Sequence, residues 1–196
     1  MEQIRSFIAF ELPEEVKTGL KQIQDRLKSG DPSIAKWVDP QSIHLTLKFL
    51  GYVDSNKVTD IVQAMRNAVV TVSCFELKIN GLGCFPSPAR VQTIWVGLIG
   101  DLQKLQVLQN NLETYVAPLG FPTEKRTFTP HLTLARVRES AMPIQRQALG
   151  GLIGTTKIEL NLPIEVNHIS LMKSRLTPSG AIYTRLDSVE LKSPCQ

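Results

Sequence analysis

Cysteine is scarce and unpaired in this chain. Cys74, Cys84 and Cys195 form an odd set with no Cys-x-x-Cys spacing, which excludes a disulfide framework or a zinc knuckle and suits a reducing cytosol. Long apolar runs are missing too. No stretch approaches the roughly 20 residues that a membrane-spanning helix requires. Residues Met1 to Arg5 carry no basic segment leading into an apolar run, so no signal peptide is legible. Charge of one sign is nearly balanced, with 22 Lys and Arg against 18 Asp and Glu for a net charge of +4, and there is no long basic tract. That excludes an electrostatic arm for long duplexes and leaves room for a short anionic partner. What remains is ordinary for a globular protein: 42% hydrophobic and 20% charged residues. A chain of 196 residues can bury roughly 70% of its unfolded surface without a metal or disulfide for support. The expectation is a soluble cytoplasmic monomer with no membrane partner and no cofactor.

Histidine is equally scarce, with three in the chain, yet two of them stand in an exact repeat: His44-Leu45-Thr46-Leu47 and His131-Leu132-Thr133-Leu134. Both copies follow a turn-type residue and continue into apolar residues, so both read as strands, over Ile43 to Phe49 and Thr129 to Val137. Alternate side chains of a strand share a face. Each copy therefore offers an imidazole and a hydroxyl on one side, backed by two leucines that anchor in a core. Two such strands meeting across a groove place two histidines and two threonines around one small target.

Along the chain, Arg5 to Leu12 reads as a first strand closed by Pro13. A helix follows, with Val16, Leu20, Ile23 and Leu27 on one stripe, ending near Gly30. Ile34 to Val38 is strand-like, Asp39-Pro40 is a turn, and Gly51 is expected to stop the first His strand. A second helix runs from Asp54 or Ser55 to about Val70, with Val58, Ile61, Val62, Met65 and Val69 inward. Phe75 to Ile79 and Val91 to Leu98 read as strands around a loop from Gly81 to Pro88. A third helix from Leu102 to Val116 turns Leu105, Leu108, Leu112 and Tyr115 inward and stops at Pro118 and Gly120. The tail offers strands at Lys157 to Leu162, Glu165 to Lys173 and Ala181 to Leu186, the last two joined by the turn Thr177 to Gly180. The His strands stand 87 residues apart, close to half the chain. This order implies an α+β class, not a parallel βαβ fold: one bilobal domain over 1–196, duplicated, with antiparallel-rich sheets facing a central cleft and helices outside.

Imidazole titrates near pH 6.5, so at neutral pH one histidine can accept a proton while another donates one. On opposite sides of a phosphorus, two histidines activate a nucleophile and protonate the leaving oxygen, each transfer worth about 10²–10⁴-fold in rate. Thr46 and Thr133 then donate hydrogen bonds to non-bridging oxygens. Two other readings stand beside this one. Zinc would require ligands at short spacing, and no Asp, Glu or Cys lies in phase near either histidine. Simple core strands with satisfied histidines would make the exact repeat a coincidence.

At these residues the chain resembles the two-histidine phosphoesterase superfamily, whose hallmark is a pair of His-x-Thr-x motifs. It is most similar there to RNA 2′,3′-cyclic phosphodiesterases, also known as 2′–5′ RNA ligases. The resemblance rests on Arg5 to Phe10, Trp37 to Gly51, Arg90 to Gly97, Phe128 to Arg136, and a late Ser174, Gly180 and Tyr183. It implies a bilobal fold with one motif strand per lobe, and metal-independent hydrolysis of a 2′,3′-cyclic phosphate on RNA 3′ ends or cyclic nucleotides, leaving a 2′-phosphate. His131 is implied as proton acceptor and His44 as proton donor, with the roles exchanged in reverse. Thr46 and Thr133 match the phosphate-binding threonines, and Arg136 the arginine that closes the second motif and clamps phosphate.

Strict alternation would put Arg136 on the face opposite His131, so the strand must bulge or twist after Leu134, or Arg136 must act from the cleft edge. Lys48, in phase with His44, is a candidate for RNA phosphate or a solvated lysine, while Phe49 is out of phase and reads as core. Arg126 and Phe128 are candidates for holding an RNA base or phosphate, Tyr183 and Ser174 are weaker ones, and His168 reads as structural. Two rival functions use the same residues: a 2′–5′ RNA ligase, and an RNA-end binding module without catalysis.

Overall fold

A computed structural model describes residues 2–29, 32–158, 162–177 and 180–193. Nine strands and four helices alternate along these residues: β1 (Gln3–Glu11), α1 (Glu14–Leu27), β2 (Ala35–Trp37), β3 (His44–Asp54), α2 (Val58–Val69), β4 (Phe75–Phe85), β5 (Thr93–Gly100), α3 (Leu102–Val116), β6 (His131–Val137), α4 (Pro143–Thr155), β7 (Pro163–Val166), β8 (His168–Thr177) and β9 (Gly180–Glu190). The strands form two sheets, ordered β3-β1-β8-β9 and β2-β6-β5-β4-β7. All strand pairs within them are antiparallel. The fold is the expected bilobal α+β arrangement, with one His-Leu-Thr-Leu strand in each sheet.

The sheets do not divide the chain at its midpoint. Strand β2, from the first half, edges the sheet of β6, while β8 and β9, from the end of the chain, complete the sheet of β3. The single strand expected over Glu165 to Lys173 is two, broken at Asn167: β7 pairs with β4 in one sheet and β8 with β1 in the other. Each lobe is thus tied to the other by chain that crosses between them.

Helix α1 shows how sequence sets an element here. Pro13 precedes it, Glu14 and Glu15 occupy the first turn, and Arg26 the last, each charge complementing the helix dipole. Val16, Leu20, Ile23 and Leu27 are at most 2% exposed, and burial of each stabilises the fold by about 1.5–3 kcal/mol. Its expected end at Gly30 lies outside the described residues. So do Cys195, the middle of the Lys157 to Leu162 segment and the centre of the Thr177 to Gly180 turn. In α3 the buried stripe is Leu105, Leu108, Leu112 and Val116, and Tyr115 is exposed. At 3.6 residues per turn, Val116 returns almost to the azimuth of Leu105 after three turns and Tyr115 does not.

Three further expectations change. Strand β3 does not stop at Gly51 but runs to Asp54, because Gly51 takes φ +72° and carries the strand through an irregularity. The Gly81 to Pro88 segment is no simple loop, since β4 extends to Phe85. Helix α4 was not expected at all. Its Gly150, Gly151 and Gly154 each weaken a helix by about 1 kcal/mol relative to Ala. Gly150 is there for contact: an added Cβ would lie 2.0 Å from the Pro88 carbonyl oxygen.

Candidate active site

Both His strands bulge at the same place, three residues after the histidine. In β3, Thr46 pairs with Ala9 and Lys48 with Ile8, leaving Leu47 as the extra residue. In β6, Thr133 pairs with Trp95 and Ala135 with Ile94, leaving Leu134 as the extra residue. An extra residue inverts the in-and-out alternation beyond it. Hence the residue four beyond each histidine, Lys48 or Ala135, turns into the core, and the residue five beyond, Phe49 or Arg136, turns back to the side of the histidine and threonine. The bulge satisfies the chain locally: the Leu134 carbonyl accepts from the Val38 N–H at 2.9 Å and from Gln24 Nε2 at 2.9 Å. Gln24, fully buried on α1, also donates to the Val38 carbonyl at 2.8 Å.

The two imidazoles are oriented alike. His44 Nδ1 lies 2.8 Å from the Ser42 carbonyl oxygen, and His131 Nδ1 lies 2.7 Å from that of Thr129. A carbonyl can only accept, so Nδ1 carries the proton in both, and Nε2 is the nitrogen left for proton exchange.

Around His44 the walls are aromatic. Phe7 stacks on its ring at 4.7 Å and Tyr183 meets it edge-on at 5.0 Å. Burial among these rings pushes the His44 pKa below the ordinary imidazole value, against the Ser42 carbonyl and the Glu11 carboxylate, which both favour the charged form. Glu11 stands directly opposite His44 in the sheet and is held ionised. Burial alone would raise its pKa, but hydrogen bonds from Arg185 Nε at 2.7 Å and Ser170 Oγ at 2.6 Å pull it down.

His131 has its own aromatic floor. Phe85 meets it edge-on at 5.2 Å and Trp95 lies at 6.2 Å. Gly83 makes room for this floor, because a Cβ there would fall 2.3 Å from the Trp95 ring. Gly97, directly opposite His131, presents no side chain that could crowd it.

The remaining candidates separate. Thr46 and Thr133 are half-buried one face-step beyond their histidines, and Arg136 is exposed on the same side as His131. Lys48 does not reach the cleft. It is 6% exposed, donates to Glu113 Oε2 at 2.6 Å and the Pro122 carbonyl at 2.7 Å, and so braces α3 and the segment before His131. Phe49, expected in the core, is 66% exposed. The Leu47 bulge causes both reversals. Tyr183 is at His44, and Ser174 accepts from Arg5 at 3.4 Å. Arg126 is exposed, and Phe128 is half-buried with one side against the core. His168 binds Asn167 Oδ1 through Nδ1 and lies 4.0 Å from Glu11, the residue opposite His44 in the sheet. Phe7, Phe85 and Trp95 were not singled out from sequence. Phe7 and Trp95 lie on strands that pair directly with β3 and β6, and Phe85 lies one strand further out, opposite Thr93, a strand order that a single sequence does not display. Among the described residues, no group of three His, Cys, Asp or Glu side chains is placed to hold a metal ion.

Comparison with known proteins adds a family. Residues 10–95 and 99–183 match the sequence model of LigT-like phosphoesterases. The chain is 35% identical over 190 residues to an RNA 2′,3′-cyclic phosphodiesterase of Methanothermobacter thermautotrophicus, covering 96% of this chain and 100% of that protein. It is 29% identical over 194 residues to an RNA 2′,3′-cyclic phosphodiesterase of Aquifex aeolicus, covering 97% and 99%. Among solved structures, E. coli LigT complexed with 3′-AMP matches with a TM-score of 0.77 at 26% identity, over 97% of this chain and 99% of that one.

Proposed function

The chain belongs to the LigT-like phosphoesterase family, and on that premise we propose that it hydrolyses the 2′,3′-cyclic phosphate at an RNA 3′ end, or on a cyclic nucleotide, to a 2′-phosphate. The observation that carries the reading is the matched pair of imidazoles, each fixed through Nδ1 to the carbonyl two residues upstream. Each thereby keeps Nε2 for the substrate. His131 Nε2 takes a proton from water as the water oxygen bonds to phosphorus. The bond from phosphorus to the 3′ oxygen breaks, and His44 Nε2 delivers its proton to that oxygen. The products are a 2′-phosphate and a 3′-hydroxyl, and the two histidines exchange protons with solvent to reset.

His44 suits the donor role. Desolvation by Phe7 and Tyr183 makes its imidazolium a stronger acid, and the Glu11 charge opposite keeps protonation within reach. Thr46 and Thr133 donate to the non-bridging oxygens, whose charge grows in the transition state. Arg136, returned to the cleft side by the Leu134 bulge, pairs with the same phosphate, and Arg126 takes phosphate further along the RNA. We take residues 1–196 as one bilobal unit with one motif per lobe, acting as a monomer in the cytoplasm.

The test is incubation of EDTA-treated protein with adenosine 2′,3′-cyclic phosphate and with a short RNA ending in a cyclic phosphate, products being resolved by chromatography. The expected product is the 2′-phosphate from both. A 3′-phosphate, or no hydrolysis by folded protein, would overturn the reading.

A further inference from the structure

Beside Arg136 the sheet of β6 carries a second cation. Strand β2 forms the edge of that sheet, and its middle residue, Lys36, pairs directly with Arg136. Residues directly opposite in an antiparallel pair share a face, with Cβ atoms about 4.5–5.5 Å apart. Lys36 therefore projects to the side of His131, Thr133 and Arg136, and it is exposed there. Its strand neighbours agree with this orientation. Ala35 is buried, and Trp37 lies under Lys28 Nζ, at the end of α1, at 5.4 Å, so both turn to the helix side.

Like charges directly opposite each other are destabilising, and no described neighbour relieves this pair. The other flank of Arg136 is Thr93, which is neutral. Asp39, three residues beyond Lys36, is turned to the Gln41 N–H at 3.0 Å. Among the described residues neither Lys36 nor Arg136 belongs to an ion pair. A lysine on an edge strand also deters pairing with another chain, but a glutamate would do that while neutralising Arg136. The juxtaposition is also enforced. Gln24 Nε2 donates both to the Val38 carbonyl, one residue past β2, and to the Leu134 carbonyl in the β6 bulge, at 2.8 and 2.9 Å. The Val38 N–H donates to the same Leu134 carbonyl. These three bonds hold β2 to β6 in the register that sets Lys36 against Arg136. Gln24 makes them fully buried, with its own Oε1 left without a partner among the described residues.

An anion resolves the repulsion. The reacting cyclic phosphate carries a single charge and already meets Thr46, Thr133 and Arg136. Lys36 stands one strand further out than β6, a step of ~4.8 Å, and a lysine binds phosphate as a point charge on a flexible stem. We propose that Lys36 binds the first internucleotide phosphate on the 5′ side of the cyclic phosphate, next to the reacting phosphate on Arg136. The proposal rests on the phosphoesterase reading of the same cleft and narrows its substrate: a free nucleoside cyclic phosphate offers Lys36 nothing, whereas an RNA 3′ end fills both cations.

Steady-state kinetics on adenosine 2′,3′-cyclic phosphate and on a trinucleotide ending in a cyclic phosphate, at several salt concentrations, test this with Lys36→Gln and Lys36→Arg. Lys36→Gln should raise KM for the trinucleotide about three- to fivefold at low salt, the upper range for an exposed ion pair. The slope of log KM against log salt should become shallower by about 0.7, the share of one phosphate contact on a single strand. Lys36→Arg keeps the charge and should keep both values. The mononucleotide has no 5′ phosphate, so its KM should not follow. An unchanged trinucleotide KM and salt slope in Lys36→Gln would overturn the proposal. So would an equal loss on both substrates, which would put Lys36 on the reacting phosphate. If the wild type hydrolyses neither substrate, the phosphoesterase reading fails instead. The cation site is then tested by fluorescence anisotropy of a 5′-labelled trinucleotide with a 2′-phosphate: a shallower salt slope in Lys36→Gln supports it, and equal slopes, or no binding by the wild type, refute it.

Discussion

Replacing Lys48 with methionine isolates the consequence of the β3 bulge. The side chains of Lys48 and Glu113 are 5% and 12% exposed, with 2.6 Å between Nζ and Oε2. Removing one partner of a buried ion pair costs about 3–5 kcal/mol, because the other charge is left uncompensated. Here Pro122 also loses its donor at 2.7 Å. Two features hold the figure to the low end. Glu113 keeps hydrogen bonds from Gln109 Nε2 at 3.1 Å and the Glu124 N–H at 3.0 Å, and its carboxylate is the more exposed partner. Lys48→Met should therefore cost about 3 kcal/mol, a fall of about 6–12 °C in Tm for a chain of this size. Pairing it with Glu113→Met removes both charges, and apolar replacement of a whole buried pair is often neutral. The double variant should then be more stable than the sum of the single losses predicts, by about 2 kcal/mol. Calorimetry on the four proteins closes the cycle. A loss below about 1 kcal/mol for Lys48→Met, or additive losses, would refute the claim that the bulge commits a buried charge to bracing the segment before His131.

Further outcomes follow from the two histidines and their surroundings. His44→Ala and His131→Ala should each lower turnover at least ~10²-fold, and the double variant should be scarcely worse than either, since groups acting as one unit are not additive; additive losses in single-turnover rates would count against a shared mechanism. Stability should fall as the pH drops below about 6.5, because His44 and His168 are both pulled below their ordinary values chiefly by burial, so the unfolded chain binds protons there that the folded chain resists. Tm measured from about pH 7.5 to about pH 5.5 should show that decline, with a shallower slope in His44→Asn; an equal slope in the variant would place the effect elsewhere. Glu11 acts in a separate, lower window. Its carboxyl is held below its usual range by Arg185 and Ser170, so its contribution is lost only as the pH falls through that depressed value.

The alternation of His44, Leu45, Thr46 and Leu47, and of its copy, was sufficient to place two imidazoles and two hydroxyls on strand faces, because side-chain direction in a strand is local and has period two. The same holds for the stripe of α1, where four apolar residues at helical spacing are reason enough for a buried face. Locality fails at the bulges. Nothing in Leu-Lys-Phe or Leu-Ala-Arg marks the extra residue. It is set by pairing with Ile8 and Ala9 in one sheet and with Ile94 and Trp95 in the other, and that pairing decided that Lys48 goes inward while Phe49 and Arg136 turn to the cleft. Helix α4 was illegible for a related reason: its glycines argue against a helix locally, and their purpose, at Gly150, is contact with Pro88. The sequence by itself therefore determined which chemical groups the site contains, since residue type and short periodicity are properties of the chain. Only the tertiary structure decided which way they face and what surrounds them, because facing direction beyond a bulge, the aromatic walls of Phe7, Tyr183, Phe85 and Trp95, and the desolvation of His44 all arise from residues distant in sequence.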